Sequence, residues 1–157
     1  GGSTVGLAFE RGYLFAKMGP HYLFVRLIEG EYPDYRQVVP KNADKTLKVN
    51  RDEFFSALKR VSLLANEKSR GIKLSIQGSA LVISSSNPDL GDAREEMDVD
   101  FSGDTMEIGF NAKYLMDCLA VEKSPEIQFS LKDKLSPGII AGKDERHHTY
   151  VIMPMRV

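Results

Sequence analysis

A single cysteine, Cys118, is all that the 157 residues contain, so no disulfide can form within the chain. It sits in a helical pattern without a histidine signature beside it, which reads as a core thiol rather than a nucleophile. A lone thiol also fits a reducing cytoplasm. A strong charge of either sign is missing too: 21 Lys and Arg stand against 22 Asp and Glu, for a net charge of −1. No global field then marks a nucleic-acid binder, and any basic face has to be local. No apolar run approaches the roughly 20 residues of a membrane helix. Gly1-Gly2-Ser3-Thr4 lacks signal-peptide character and an initiator methionine, which fits a cut within a longer protein. There is no phosphate loop, no nucleophile elbow and no GxGxxG. His147 and His148 are adjacent, so on a strand they face opposite ways, and no spaced cysteine or acidic partner accompanies them. Metal, cofactor and catalytic residues are therefore all expected to be absent.

What is present is 42% apolar residues, enough for one good core and part of a second. Residues 5–9, 13–17 and 22–28 read as three short strands separated by the turn signals Arg11-Gly12 and Met18-Gly19-Pro20. Three strands without a covering helix are marginal, so this stretch looks like the end of a domain that starts elsewhere. Residues 29–45 form a connector with two prolines and embedded tyrosines and valines. That composition suits an ordered linker pinned to a surface.

From Thr46 the chain repeats itself. A strand at 46–49 precedes a helix capped by Asp52 and running to about Leu64, with Phe54, Phe55, Leu58, Val61 and Leu64 at helical spacing. Strands follow at 72–77, 80–85 and 93–101. The order restarts at 105–108, with Asn111 capping a helix to about Ala120 and strands at 126–131, 138–142 and 148–153. Placing Thr46 on Thr105 sets Asp52 on Asn111, a period near 59. The fold class expected is α+β, a duplicated β-α-β-β-β unit with two helices packed on antiparallel sheets around one core.

The last nine residues, 149–157, are apolar almost to the end, unlike a frayed terminus. They are either a closing strand or half of a binding groove. From residues alone two further readings stay open. One is a small hydrolase or transferase using Tyr32, Tyr35 and His147 or His148. The other is an α+β interaction module whose residues 5–38 pair with another sheet edge.

Four separated segments carry a resemblance: Glu29-Gly30-Glu31-Tyr32-Pro33-Asp34-Tyr35-Arg36, Asn66-Glu67-Lys68-Ser69-Arg70-Gly71, Ile108-Gly109-Phe110-Asn111, and Tyr150-Val151-Ile152-Met153-Pro154-Met155-Arg156. Over residues 5–157 the chain resembles the bacterial DNA polymerase III beta subunit family, the replicative sliding clamps. The resemblance implies the DNA-clamp fold. Residues 1–44 would be the later half of a middle domain plus connector, and 45–157 a complete third domain. It implies a non-catalytic processivity factor of the bacterial cytoplasm, a head-to-tail homodimer when full length, encircling duplex DNA. Polymerase subunits, the clamp loader and repair proteins would bind through linear motifs, with no cofactor and no membrane.

The resemblance also assigns sites. A peptide groove would take Pro33, Gln37 and Val38 from the connector, Asn111 and Tyr114 from the second helix, and Leu135 and Pro137 from the loop before a strand. The tail would add Val151, Met153, Pro154, Met155 and Arg156. Methionines adapt to varied partners, and Tyr114 offers both a ring face and a hydroxyl. Lys59, Arg60, Lys68, Arg70 and Lys113 would face DNA, making phosphate contacts without sequence preference. Leu63 and Leu64 would form the subunit-interface region, with one of them facing a partner subunit, since adjacent helical residues about 100° apart do not both face one core.

Overall fold

Short turns between the first three strands make a meander. β1 (Gly6–Glu10), β2 (Tyr13–Met18) and β3 (His21–Arg26) pair antiparallel in that order. Arg11 and Gly12, at φ 49° and 80°, form the two-residue turn that brings Glu10 opposite Tyr13. Phe15 meets Phe24 edge to face at 5.3 Å. Most side chains of this sheet are nevertheless exposed, including Leu7, Phe9 and Phe24. The computed structural model describes residues 4–31, 34–143 and 148–157. It divides the chain into two compact units, Gly1–Asp34 and Tyr35–Val157.

The second unit starts with a 3-10 turn at Tyr35–Gln37. Its first half is β4 (Lys45–Asn50), α1 (Arg51–Val61), β5 (Gly71–Gln77), β6 (Ala80–Asn87), β7 (Gly91–Asp98) and β8 (Asp100–Ser102). Its second half is β9 (Met106–Asn111), α2 (Ala112–Val121), β10 (Glu126–Leu131), β11 (Gly138–Gly142) and β12 (Tyr150–Ile152). Period-two alternation sends Leu47 and Val49, Ile72, Leu74 and Ile76, and Ile127, Phe129 and Leu131 inward. Helical spacing puts Phe54, Ala57, Leu58 and Val61 of α1 on one buried face, and Leu115, Cys118 and Leu119 of α2 on another. All of these join a single apolar cluster.

The two halves exchange their first strands. β4 pairs with β10 of the second half, and β9 pairs with β5 of the first. The sheets run β12-β11-β10-β4-β8 and β7-β6-β5-β9. Neither half closes a sheet without the other, so the duplication folds as one core.

Four expectations are corrected. The cap of α1 is Asn50, whose side chain accepts from the Asp52 and Glu53 amides; Asp52 lies inside the first turn. Asn50 matches Asn111, and Phe54 and Leu58 match Leu115 and Leu119, so the helices repeat at 61 positions rather than 59. The α-helix stops at Val61, and residues 62–64 tighten into a 3-10 turn. The strand expected at 93–101 is two strands. Val99 is buried, donates its N–H to Ser79 O at 2.8 Å, and passes the chain from one sheet to the other. Alternation continues through such a switch, so periodicity does not reveal it.

Candidate peptide groove and basic face

Pro154 has no N–H to give, so ladder pairing ends with Ile152, the buried residue of β12 opposite Gly138. Val151 is half-buried and Met153 is 59% exposed, so the core takes one residue of this trio. The chain then returns to the sheet. Met155 N–H donates to Gly109 O at 2.9 Å, an isolated bridge on the outer edge of β9. Beyond it the tail crosses two glycines. A Cβ on Gly109 would strike Met155 O and the Val157 side chain, and one on Gly71 would stand 2.7 Å from Val157 Cγ1. Glycine is required at both positions because the tail lies on the backbone itself.

Asn111 ties this region to α2. Its Oδ1 caps the helix by accepting from Lys113 N–H at 2.9 Å, and its Nδ2 donates to Ser69 O at 3.1 Å. Arg70, held at φ 49°, accepts from Ala112 N–H at 2.9 Å. Tyr114 follows on the first turn, 59% exposed. On the far side Asp133 shapes the loop before β11. Its carboxylate accepts from the Leu135 and Ser136 N–H groups at 2.8 and 2.7 Å and from Ser136 Oγ at 2.9 Å. The Leu135 and Ser136 contacts hold the Asp133 pKa below its ordinary value. This frame presents Leu135 at 69% exposure. Leu135, Gly109, Met155, Arg156 and Val157 line a concavity of about 700 Å³. Across the tail lies a second, of about 490 Å³, bounded by Ser69, Gly71 and Arg94.

Of the residues expected in a groove, Leu135, Met155 and Arg156 share one concavity, while Val151 pairs with Ile139 and Pro137 directly precedes Gly138, the partner of Ile152. Asn111 shares the Gly71–Gly109 region of the sheet. Gln37 and Val38 are exposed on and beside the 3-10 turn, and no described hydrogen bond or strand pairing joins them to the tail. Pro33 lies outside the described residues, as does His147. The glycine pair and Asp133 escaped the sequence reading. The signals were there: a glycine inside a strand marks a close approach, and Asp two residues before a turn amide marks an Asx turn.

The five cations are not alike. Arg60 is held by Glu95 through both Nε and a terminal nitrogen, and Lys113 pairs with Asp117 one turn on. The Arg60 contact holds the Glu95 pKa below its ordinary value. Among the described residues, no ion pair engages Lys59, Lys68 or Arg70. Leu63 is 74% exposed while Leu64 is half-buried. Their 3-10 turn packs beside β7, an end strand of its sheet that carries Asp92, Glu95, Glu96 and Asp98.

Cys118 donates to Leu115 O at 3.0 Å, and burial pushes its pKa up to about 11. A thiol so protonated is no nucleophile at neutral pH. Among the described residues, no three His, Cys, Asp or Glu side chains converge as a metal site, and no helix is long and apolar enough to cross a membrane.

The architecture is the α+β clamp fold, and the class it defines is that of the replicative sliding clamps. Residues 36–156 match the family model described as DNA polymerase III beta subunit, C-terminal domain, and the chain belongs to this family. It is 35% identical over 153 residues to the beta sliding clamp of Pseudomonas aeruginosa, covering 98% of this chain and 42% of that protein. It is 39% identical over 142 residues to the beta sliding clamp of Escherichia coli strain K12, covering 90% and 39%. Among solved structures it superposes on the polymerase III beta protein of Caulobacter crescentus with TM-score 0.82 at 34% identity, over 98% of this chain and 41% of that one. A Pseudomonas aeruginosa clamp bound to griselimycin matches with TM-score 0.79 at 35% identity, over 98% and 42%. The chain thus spans about two fifths of the length of these relatives.

Proposed function

We propose that this chain is the C-terminal part of a sliding-clamp subunit. In it, residues 1–44 form the later half of the middle domain plus connector, and residues 45–157 the third domain. The intact protein encircles duplex DNA in the cytoplasm as a head-to-tail homodimer. It acts as a non-catalytic processivity factor that holds polymerase subunits, the clamp loader and repair proteins by their linear motifs. The peptide groove is formed by Pro33, Gln37, Val38, Asn111, Tyr114, Leu135, Pro137 and the tail residues Val151, Met153, Pro154, Met155 and Arg156. The observation that carries this reading is the tail. An apolar segment that leaves its strand at Pro154 and exposes Met153 beside a concavity is a wall suited to an apolar peptide.

Lys59, Lys68 and Arg70 are the cations best placed to meet phosphate, since they give up no ion pair to do so. Arg60 and Lys113 contribute less because Glu95 and Asp117 already neutralise them. The exposed Leu63, with Leu64 behind it and the acidic edge of β7 beside it, is the surface offered to a second subunit. The groove is tested by titrating the chain with a peptide bearing apolar clamp-binding anchors, before and after deletion of residues 153–157. Binding should fall at least tenfold in the deleted chain. Equal affinity for both would remove the groove assignment.

A further inference from the structure

Period-two alternation puts every second residue of β5, β6 and β7 on the outer face of their sheet, away from the core. The register then sets three polar side chains in one row across these strands: Lys73 lies opposite Ser84, and Ser84 opposite Arg94. Residues paired in this way share a face. Ser85 fixes the phase. It turns inward and donates to Val61 O at 2.8 Å, which leaves Ser84 and Ser86 facing outward. Neighbouring strands lie about 4.8 Å apart, so the Lys73 and Arg94 backbones stand about 10 Å apart with Ser84 between them. Both long side chains can converge over the half-buried Ser84 hydroxyl at that separation.

The row lines the concavity of about 490 Å³ that lies across the tail from the groove. Ser69 and Ser86 add hydroxyls to its lining, and Arg156 adds a third cation from the tail side. The two cations of the row have weak partners. Lys73 reaches Glu107 at 3.4 Å and Arg94 reaches Glu96 at 3.3 Å, all at exposed side chains, where such pairs contribute little. Both acids belong to the next row, Glu96, Val82, Ser75 and Glu107, and draw the cations sideways. Asp92, the single acid in the lining, stands in the row on the other side, opposite Ser86. The row itself therefore holds two cations and a hydroxyl and no carboxylate. A phosphate group suits this set better than a carboxylate, because it carries more charge and offers three terminal oxygens rather than two.

We propose that the row Lys73, Ser84 and Arg94 on the outer face of the β5–β6–β7 sheet binds a phosphate group. The Lys73 ammonium and the Arg94 guanidinium neutralise its charge, and the Ser84 hydroxyl donates to a third oxygen. The site uses no residue of β9 and does not depend on the apolar groove.

The probe is inorganic phosphate, titrated at neutral pH and constant ionic strength into the full chain and followed by amide NMR. It should give saturable shifts at Lys73, Ser84 and Arg94. Lys73→Gln and Arg94→Gln should each weaken binding about fivefold or more, and Ser84→Ala about threefold, the usual scale for hydrogen bonds to a charged group at a partly exposed site. The three variants should melt like the parent, since none of these side chains enters the core. Lys48→Gln removes a cation from the other sheet and should bind phosphate like the parent. Thymidine 5′-monophosphate, compared with thymidine, separates the two sources of the group. Tighter binding of the nucleotide than of inorganic phosphate makes a nucleotide the source, and the reverse order makes it the free anion; either supports the row. No saturable shift, equal shifts from chloride at the same ionic strength, or row variants that bind like the parent would each overturn the proposal. Loss of phosphate binding with retention of the apolar clamp-binding peptide would fault this site alone, and the converse would fault the groove alone.

Discussion

Asn111 makes two bonds with two different atoms, whereas both described side-chain bonds of Asn50 are accepted by its oxygen. The Asn111 oxygen caps α2, and its nitrogen holds Ser69 O. Asn111→Ala should cost about 1–2 kcal/mol in denaturant unfolding, the usual loss for a cap with an added bond. Asn111→Asp keeps the cap and loses the donor, so it should recover most of that stability without restoring the Ser69 contact. Gly109→Ala acts differently. The new methyl would meet Met155 O, and the tail has to lift. Its global stability should change little, while residues 153–157 become faster to cleave in limited proteolysis. Glu95 supplies a pH signature. Its pKa is depressed by Arg60, so its contribution is present above the ordinary value of 4.5 and is lost as pH falls through the lower folded value. Glu95→Gln should therefore flatten the fall in melting temperature below about pH 4.5 relative to the parent.

At the scale of elements, the start of α1 is tied to the end of α2: the Arg51 guanidinium donates to the Glu122 carbonyl at 2.9 Å. A cation at a helix C-terminus is favourable, and here it joins the two halves. Each helix buries a narrow stripe, so single truncations are costly. Phe54→Ala removes a fully buried ring and should lower stability by about 3–5 kcal/mol, read as a shift in chemical denaturation midpoint. The strands and both helices were legible in the sequence because Leu47, Ile72, Leu74 and Phe129 alternate and Phe54, Leu58 and Val61 recur at helical spacing. The repeat was legible too, though two positions out of register. Asp52 is as good a cap as Asn50, and only the observed hydrogen bonds decide between them. The exchange of β4 and β9 was not legible, since alternation says which face is buried and nothing about which strand lies alongside.

At the scale of the molecule, the two compact units differ in what holds them. Tyr35–Val157 has a continuous apolar core, whereas the three strands of Gly1–Asp34 expose most of their apolar side chains. Three-stranded sheets of that kind are marginal. Hydrogen exchange should show slow amides in β5, β6, β9 and β10, and exchange within minutes across β1 to β3. Slow exchange throughout β1 to β3 would show that something covers that sheet.

Composition, periodicity and four short segments were enough to set the class, the duplicated unit and the family, because these depend on local pattern and on residues adjacent in sequence. They also marked the tail as unusual, since an apolar terminus has to bury itself somewhere. Only the tertiary structure decided where. Gly71 and Gly109 stand 38 positions apart in sequence but lie on adjacent strands two register steps apart, Gly71 opposite Asn111 and Gly109 opposite Lys73, and together they form the seat on which the tail rests. Such a seat comes from strand pairing, a contact between distant positions, and no property of either glycine announces its partner.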